Sequence, residues 1–113
     1  MANPKRERLR TFADEIEAEM RRVGMWRENP PSEEEVLSGG AFGLGTVAFD
    51  TWVQVVFVTR LRQVADGVFP IPEASSVGTQ ANREWDGAGG PDRDRLLGLL
   101  LDVDDLIEGR AAD

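Results

Sequence analysis

The sequence contains neither cysteine nor histidine. Without cysteine there is no disulfide framework and no thiolate metal site. With histidine missing as well, the usual zinc ligand sets are excluded, as is Cys or His nucleophile chemistry. The side chain that most often acts as a general base near neutral pH is also gone. Lysine is represented once, by Lys5, so Schiff-base chemistry would rest on a residue near a terminus that frays. Long apolar runs are missing too: the longest uncharged stretch, residues 36–49, has 14 residues and four glycines, against the roughly 20 that span a bilayer. The first ten residues hold five charges and no apolar run, which is unlike a signal peptide. These absences lead to the expectation of a cytoplasmic protein with no membrane span, no metal and no cofactor.

What remains is acidic. Lysine and arginine number 13 against 21 aspartates and glutamates, a net charge of -8 over 113 residues. A field of that sign repels phosphate backbones and anionic headgroups, so direct nucleic-acid binding is disfavoured. A basic cluster, Lys5, Arg6, Arg8 and Arg10, opens the chain. Asp14, Glu15, Glu17 and Glu19 follow on the same expected helix, so the cluster reads as charge pairing rather than a nucleic-acid arm. The length fits one domain over residues 1–113 with a single modest core.

Helical spacing dominates. Leu9, Phe12, Ile16, Met20 and Val23 recur at three and four, predicting a helix over residues 5–23 that stops at Gly24. Arg10 with Asp14, and Glu17 with Arg21, fall at i,i+4 on its other faces. "ENPPSEEEVL" then places Ser32 and Glu35 at capping-box spacing, opening a second helix that "SGGAFGLGT" cuts short. A weak helix over residues 74–85 would depend on Val77, Ala81 and Trp85, and "DGAGGP" is a loop. Pro91 and Asp92 open the last helix, which carries Leu96, Leu97, Leu99, Leu100, Val103, Leu106 and Ile107 and ends at Gly109. The expected fold is an all-α bundle of three main helices plus one or two short ones.

The segment "DTWVQVVFVTRLRQVADG" poses a puzzle. Its composition favours a strand, but its polar residues do not alternate with apolar ones. Read as a helix at 100° per residue, Phe49, Trp52, Val53, Val56, Phe57 and Val64 share one side, while Val55 and Val58 fall opposite. Such a helix is either central in its bundle or covered on its far face by a partner. Arg60 sits between Val56 and Val64 at i,i+4, so its stem is expected toward the apolar side in a structural role. Trp26, Trp52 and Trp85 read as core anchors.

Two motifs carry no chemistry in this context. "GLGTVA" matches G-x-G-x-x-A, but no strand precedes it, and no Walker lysine follows. "DVDDLIEG" lacks the EF-hand glycine, since Ile107 stands at the sixth position, and its carboxylates read as a solvated surface.

The order of "MWRENPPSEEE", "SGGAFGLGTVAFDTWVQVVFVTRL" and "FPIP" ahead of a leucine-rich helix resembles the YqcC-like family of small bacterial proteins over nearly the whole chain. Ser38, Phe42, Thr46, Trp52, Gln54, Phe57 and Arg60 match its pattern. Gly39, Gly40, Ala41, Gly45, Val55 and Thr59 depart from it. The resemblance implies a small helical bundle of uncharacterised biochemical function, sometimes encoded beside a tRNA pseudouridine synthase.

The expected function is therefore a non-enzymatic module that binds a protein partner or itself, as a homodimer for example, through a surface including Val55 and Val58. An accessory role in tRNA modification is the second reading. A third is a small-ligand binder or enzyme using Arg60, Gln54 and the loop at residues 42–46.

Overall fold

A computed structural model of the chain describes residues 3–37, 49–84 and 94–109. Among them all regular structure is helical: α1 (Pro4–Arg22), α2 (Glu33–Leu37), α3 (Phe49–Trp52), a π-helical turn (Val53–Phe57), α4 (Val58–Ala65), α5 (Val77–Glu84) and α6 (Asp94–Glu108). α3, the π turn and α4 join without a break into one helix over residues 49–65. No helix among the described residues is long and apolar enough to cross a membrane.

The local signals act as their chemistry requires. Asn3 caps α1, its Oδ1 accepting from the amides of Lys5 at 2.9 Å and Arg6 at 3.3 Å, with Pro4 in the first turn. Ser32 and Glu35 form the reciprocal capping box, at 3.1 and 3.2 Å, that starts α2. α1, α4 and α6 each end on a glycine with φ near +80°, at Gly24, Gly67 and Gly109. Beyond the first of these, Met25 donates back to the carbonyl of Met20 at 2.8 Å, which closes the helix end.

α1 packs on α4 and on α6, α5 lies along α6, and α2 covers the π turn. The main core collects Leu9, Ala13, Ile16 and Met20 from α1, Val58, Leu61 and Val64 from α4, and Leu96, Leu100 and Val103 from α6. A second, smaller cluster joins Val36 of α2 to Val55 and Val56, with Trp52 packed against both clusters.

The π turn resolves the two-sided helix. At 100° per residue Val53 and Val58 would stand about 140° apart. The amide of Val58 instead donates to the carbonyl of Val53, five residues back, and this wider turn brings both side chains into the main core, 0% and 1% exposed. From Val58 onward the 3–4 spacing resumes with Leu61, Val64 and Ala65. Val55, only 8% exposed, faces the second cluster under α2. The second apolar face is thus filled from within the chain, and the expected partner surface of Val55 and Val58 is corrected to interior packing.

The basic cluster also departs from expectation. Lys5, Arg6 and Arg10 reach the helix C-termini of other elements, while along α1 itself Arg8 lies over the Phe12 ring and Arg10 is 4.0 Å from Glu7. Lys5 Nζ donates to the carbonyl of Ile107 at 3.1 Å. Arg6 donates to the carbonyls of Val64 and Phe69, and Arg10 to the carbonyl of Ala65 and the carboxylate of Asp66. Cations there meet the negative end of the helix dipole and satisfy carbonyls that the helix leaves open. Asp14, the expected partner of Arg10, binds Arg62 of α4 instead, at 3.1 Å. Glu17 keeps its expected bond to Arg21, 2.8 Å, and adds one to Arg62, also 2.8 Å. Burial pushes the Glu17 carboxyl upward, but the two guanidiniums outweigh it and hold it below the ordinary 4.5. The stabilisation from this pairing is therefore complete above 4.5 and is lost as pH falls through the lower folded value.

The acidic run of α6 is corrected as well. Asp104 is only 2% exposed. Its Oδ1 accepts from the Ser75 hydroxyl and the Val77 amide, its Oδ2 from the Gly78 amide, and Glu108 accepts from the Ser75 amide at 3.0 Å. A carboxylate from α6 thus caps the start of α5, a helix whose own sequence has little tendency to form. Gly78 permits the approach: a Cβ there would lie 2.6 Å from the Leu101 Cα. Asp104→Ala strands those amide donors and is expected to cost about 1–3 kcal/mol. Urea denaturation measures the loss, and far-UV circular dichroism of the variant should report fewer helical residues; an unchanged midpoint would refute the capping role.

Candidate functional site

The outer side of the π turn lies against the connection between α1 and α2. Gln54 fixes it there. In a run of valines, this amide is 5% exposed and forms a matched pair with the backbone of Arg27: Oε1 accepts from the Arg27 amide at 2.9 Å and Nε2 donates to the Arg27 carbonyl at 2.9 Å. A buried amide must find such partners, and a loop backbone must find partners for its own groups. One side chain meets both requirements and sets the path of the loop.

Beside this clamp is an open cavity of about 270 Å³. Trp26, Pro30, Pro31 and Val55 give it apolar walls, and Glu33, Thr59, Gln54 and Arg62 supply its polar atoms. Trp26 is half-buried, with the Arg21 guanidinium 5.1 Å from its ring centroid. Arg62 is neutralised by Asp14 and Glu17. Glu33 has its Oε2 3.9 Å from Arg60, while its Oε1 is shut from water and accepts no hydrogen bond from the described residues.

The sequence-derived site residues distribute as follows. Trp26, Gln54 and Val55 line the cavity. Trp52 and Phe57 are half-buried against the core and form a stacked row with Phe49, with centroids 5.8 and 6.1 Å apart. Val58 is in the core. Arg60 does not lie along its own apolar side. It is exposed, with its guanidinium 4.7 Å over the Phe69 ring and near Glu33, and it does not line the cavity. Phe42, Thr46, the glycine motif, Trp85, Pro91 and Asp92 lie outside the described residues. The convergence of Arg60 with Gln54 that a small-ligand site would require does not occur, because Gln54 is committed to Arg27 and Arg60 to Phe69.

Pro30, Glu33, Thr59 and Arg62 were not legible as site residues. They come from two segments whose contact depends on the π turn, and no spacing announces that. Gln54 did carry a signal, as a lone polar residue inside an apolar run. Among the described residues, no group of three or more aspartates or glutamates is placed to hold a metal ion.

Gln54→Ala leaves both Arg27 groups without their partner and is expected to cost about 1–3 kcal/mol. Its specific mark is faster hydrogen exchange at the Arg27 amide, measured by NMR. Exchange there no faster than in the parent chain would contradict the clamp.

Residues 8–106 match the DUF446 family model, described as tRNA pseudouridine synthase C. An uncharacterised protein of Haemophilus influenzae is 22% identical over 72 residues, 64% of this chain and 68% of that protein. A tRNA pseudouridine synthase C of Pectobacterium carotovorum subsp. carotovorum is 29% identical over 73 residues, 65% of this chain. That match spans only 19% of the Pectobacterium protein's length. No solved structure matches. Since the family model covers most of the chain, including most of α1, the π turn and nearly all of α6, this protein belongs to the DUF446 family.

Proposed function

We propose that the chain is a non-enzymatic accessory domain that docks on a tRNA pseudouridine synthase. One observation carries the reading: a segment shared with this chain makes up 19% of a protein named as such a synthase. A comparable segment makes up 68% of a small separate protein. A unit found both within an enzyme and largely by itself behaves as a portable module whose natural contact is the rest of that enzyme.

The chemistry of the chain supports a binding role over a catalytic one. Its buried ionisable groups are engaged in the fold: Asp104 caps α5, and Glu19 bonds Arg22 while approaching Arg95 at 3.5 Å. The net charge of -8 favours a protein contact over direct contact with RNA. Lys5, Arg6 and Arg10, which might otherwise meet phosphates, are held by α4 and α6.

Purified chain mixed with the tRNA pseudouridine synthase of the same host, at about 0.15 M salt where distant surface charges are screened, should sediment as one larger species that survives RNase. Two independent boundaries would overturn the proposal. A joint species that dissolves on RNase treatment would replace it with RNA-mediated association.

A further inference from the structure

We propose that α5 is a strap that opens and closes over α6 as a unit of its own, with Asp104 as its latch, while the core of α1, α4 and α6 stays folded. The proposal is independent of the docking reading. Its first ground is sequence. α5 reads VGTQANRE, in which Gly78, Thr79 and Asn82 are poor helix formers, and a helix of that length does not hold in water by itself. Ordering it costs backbone freedom at every residue, and the offsetting burial is small. Val77 and Ala81 are the only apolar side chains larger than hydrogen that it contributes, and both are buried. α1, by contrast, sets Leu9, Ala13, Ile16 and Met20 at 0% exposure.

The contacts of the strap run to one element. α5 lies along α6, and no other described helix meets it over more than a marginal contact, whereas α1 is packed on both α4 and α6. The hydrogen bonds that fasten its start end on α6 as well. The Ser75 hydroxyl and the amides of Val77 and Gly78 donate to Asp104, and the Ser75 amide donates to Glu108, one turn further on.

This makes docking and capping a single event. α1 is capped by Asn3, its own preceding residue, and would keep that cap wherever it moved. The Val77 and Gly78 amides keep their acceptor only while α5 lies against α6, so lifting the strap removes its cap and its apolar anchorage together. Gly78 sets the fit, since a Cβ there would lie 2.6 Å from the Leu101 Cα. Opening uncovers Leu101 and the buried Asp104 carboxylate. None of the bonds that break belongs to α1, α4 or the π turn, which is the pattern of a local opening rather than a global one.

The test is native-state hydrogen exchange of the full chain, read by NMR where exchange reports the opening equilibrium. Amides of residues 81–83 in α5 are compared with those of residues 13–20 in α1. The α5 amides should be protected, yet exchange about 100-fold faster than those of α1. Leu61→Val on α4 weakens the closed and the open forms alike. It should speed exchange in α1 roughly 2- to 10-fold and leave α5 unchanged. Gly78→Ala favours helix in isolation but blocks the approach to Leu101, so protection should vanish from residues 81–83 and persist in α1. Asp104→Asn keeps the shape of the latch without its charge and should speed exchange in α5 about tenfold. The strap is overturned if α5 exchanges together with α1 and follows it in Leu61→Val. It is equally overturned if α5 is unprotected in the parent chain, or if α1 loses protection in Gly78→Ala. Unchanged α5 exchange in Asp104→Asn would overturn the latch.

Discussion

The second apolar cluster, the clamp on Arg27 and the cavity beside it depend on one irregular turn. The bond from the Val58 amide to the Val53 carbonyl inserts an extra residue into the helix over residues 49–65, so that four consecutive residues, Val53 to Val56, are all buried. A regular helix would set Val53 and Val58 about 140° apart, too far for both to enter one core. The wider turn lets Val53 serve the α1–α4–α6 core while Gln54, Val55 and Val56 face α2 and the preceding loop. π turns are costly in isolation and are retained where they do something a regular turn cannot. Here the turn aims an amide at a loop backbone and shapes the cavity beside it.

Much of the fold could be read from residue spacing. The stripe of α1, the capping box of α2, the glycine stops and the leucine-rich face of α6 are local signals, and local signals survive folding unchanged. Two features escaped because they depend on contacts between distant segments. The acidic run reads as surface, yet Asp104 lies four residues after Leu100 and three before Ile107, on the buried side of α6. That placement already called for a partner, but the partner is the start of α5, whose weak propensity gave no hint of where its cap comes from. Arg60 was placed toward the apolar side on regular spacing; the π turn upstream changes the phase, and the side chain emerges over Phe69.

The candidate site was legible only in part. Trp26 and Gln54 stood out as an aromatic in a loop and a polar residue among valines, and both belong to the cavity. Val55 and Val58 stood out for being apolar on the wrong side, and the explanation lay within the chain. That second apolar face is packed from within the chain, and the cavity beside it is lined by apolar and polar groups together.

We propose that the face built by the π turn, rather than the α5–α6 side, is where this domain would meet a synthase partner. Hydrogen–deuterium exchange of the chain, alone and with the host tRNA pseudouridine synthase, tests it most directly. The account predicts slower exchange confined to residues 26–37 and 54–62. Slowing confined to α5 and α6, or none across residues 26–37 and 54–62 in a complex that has demonstrably formed, would contradict it.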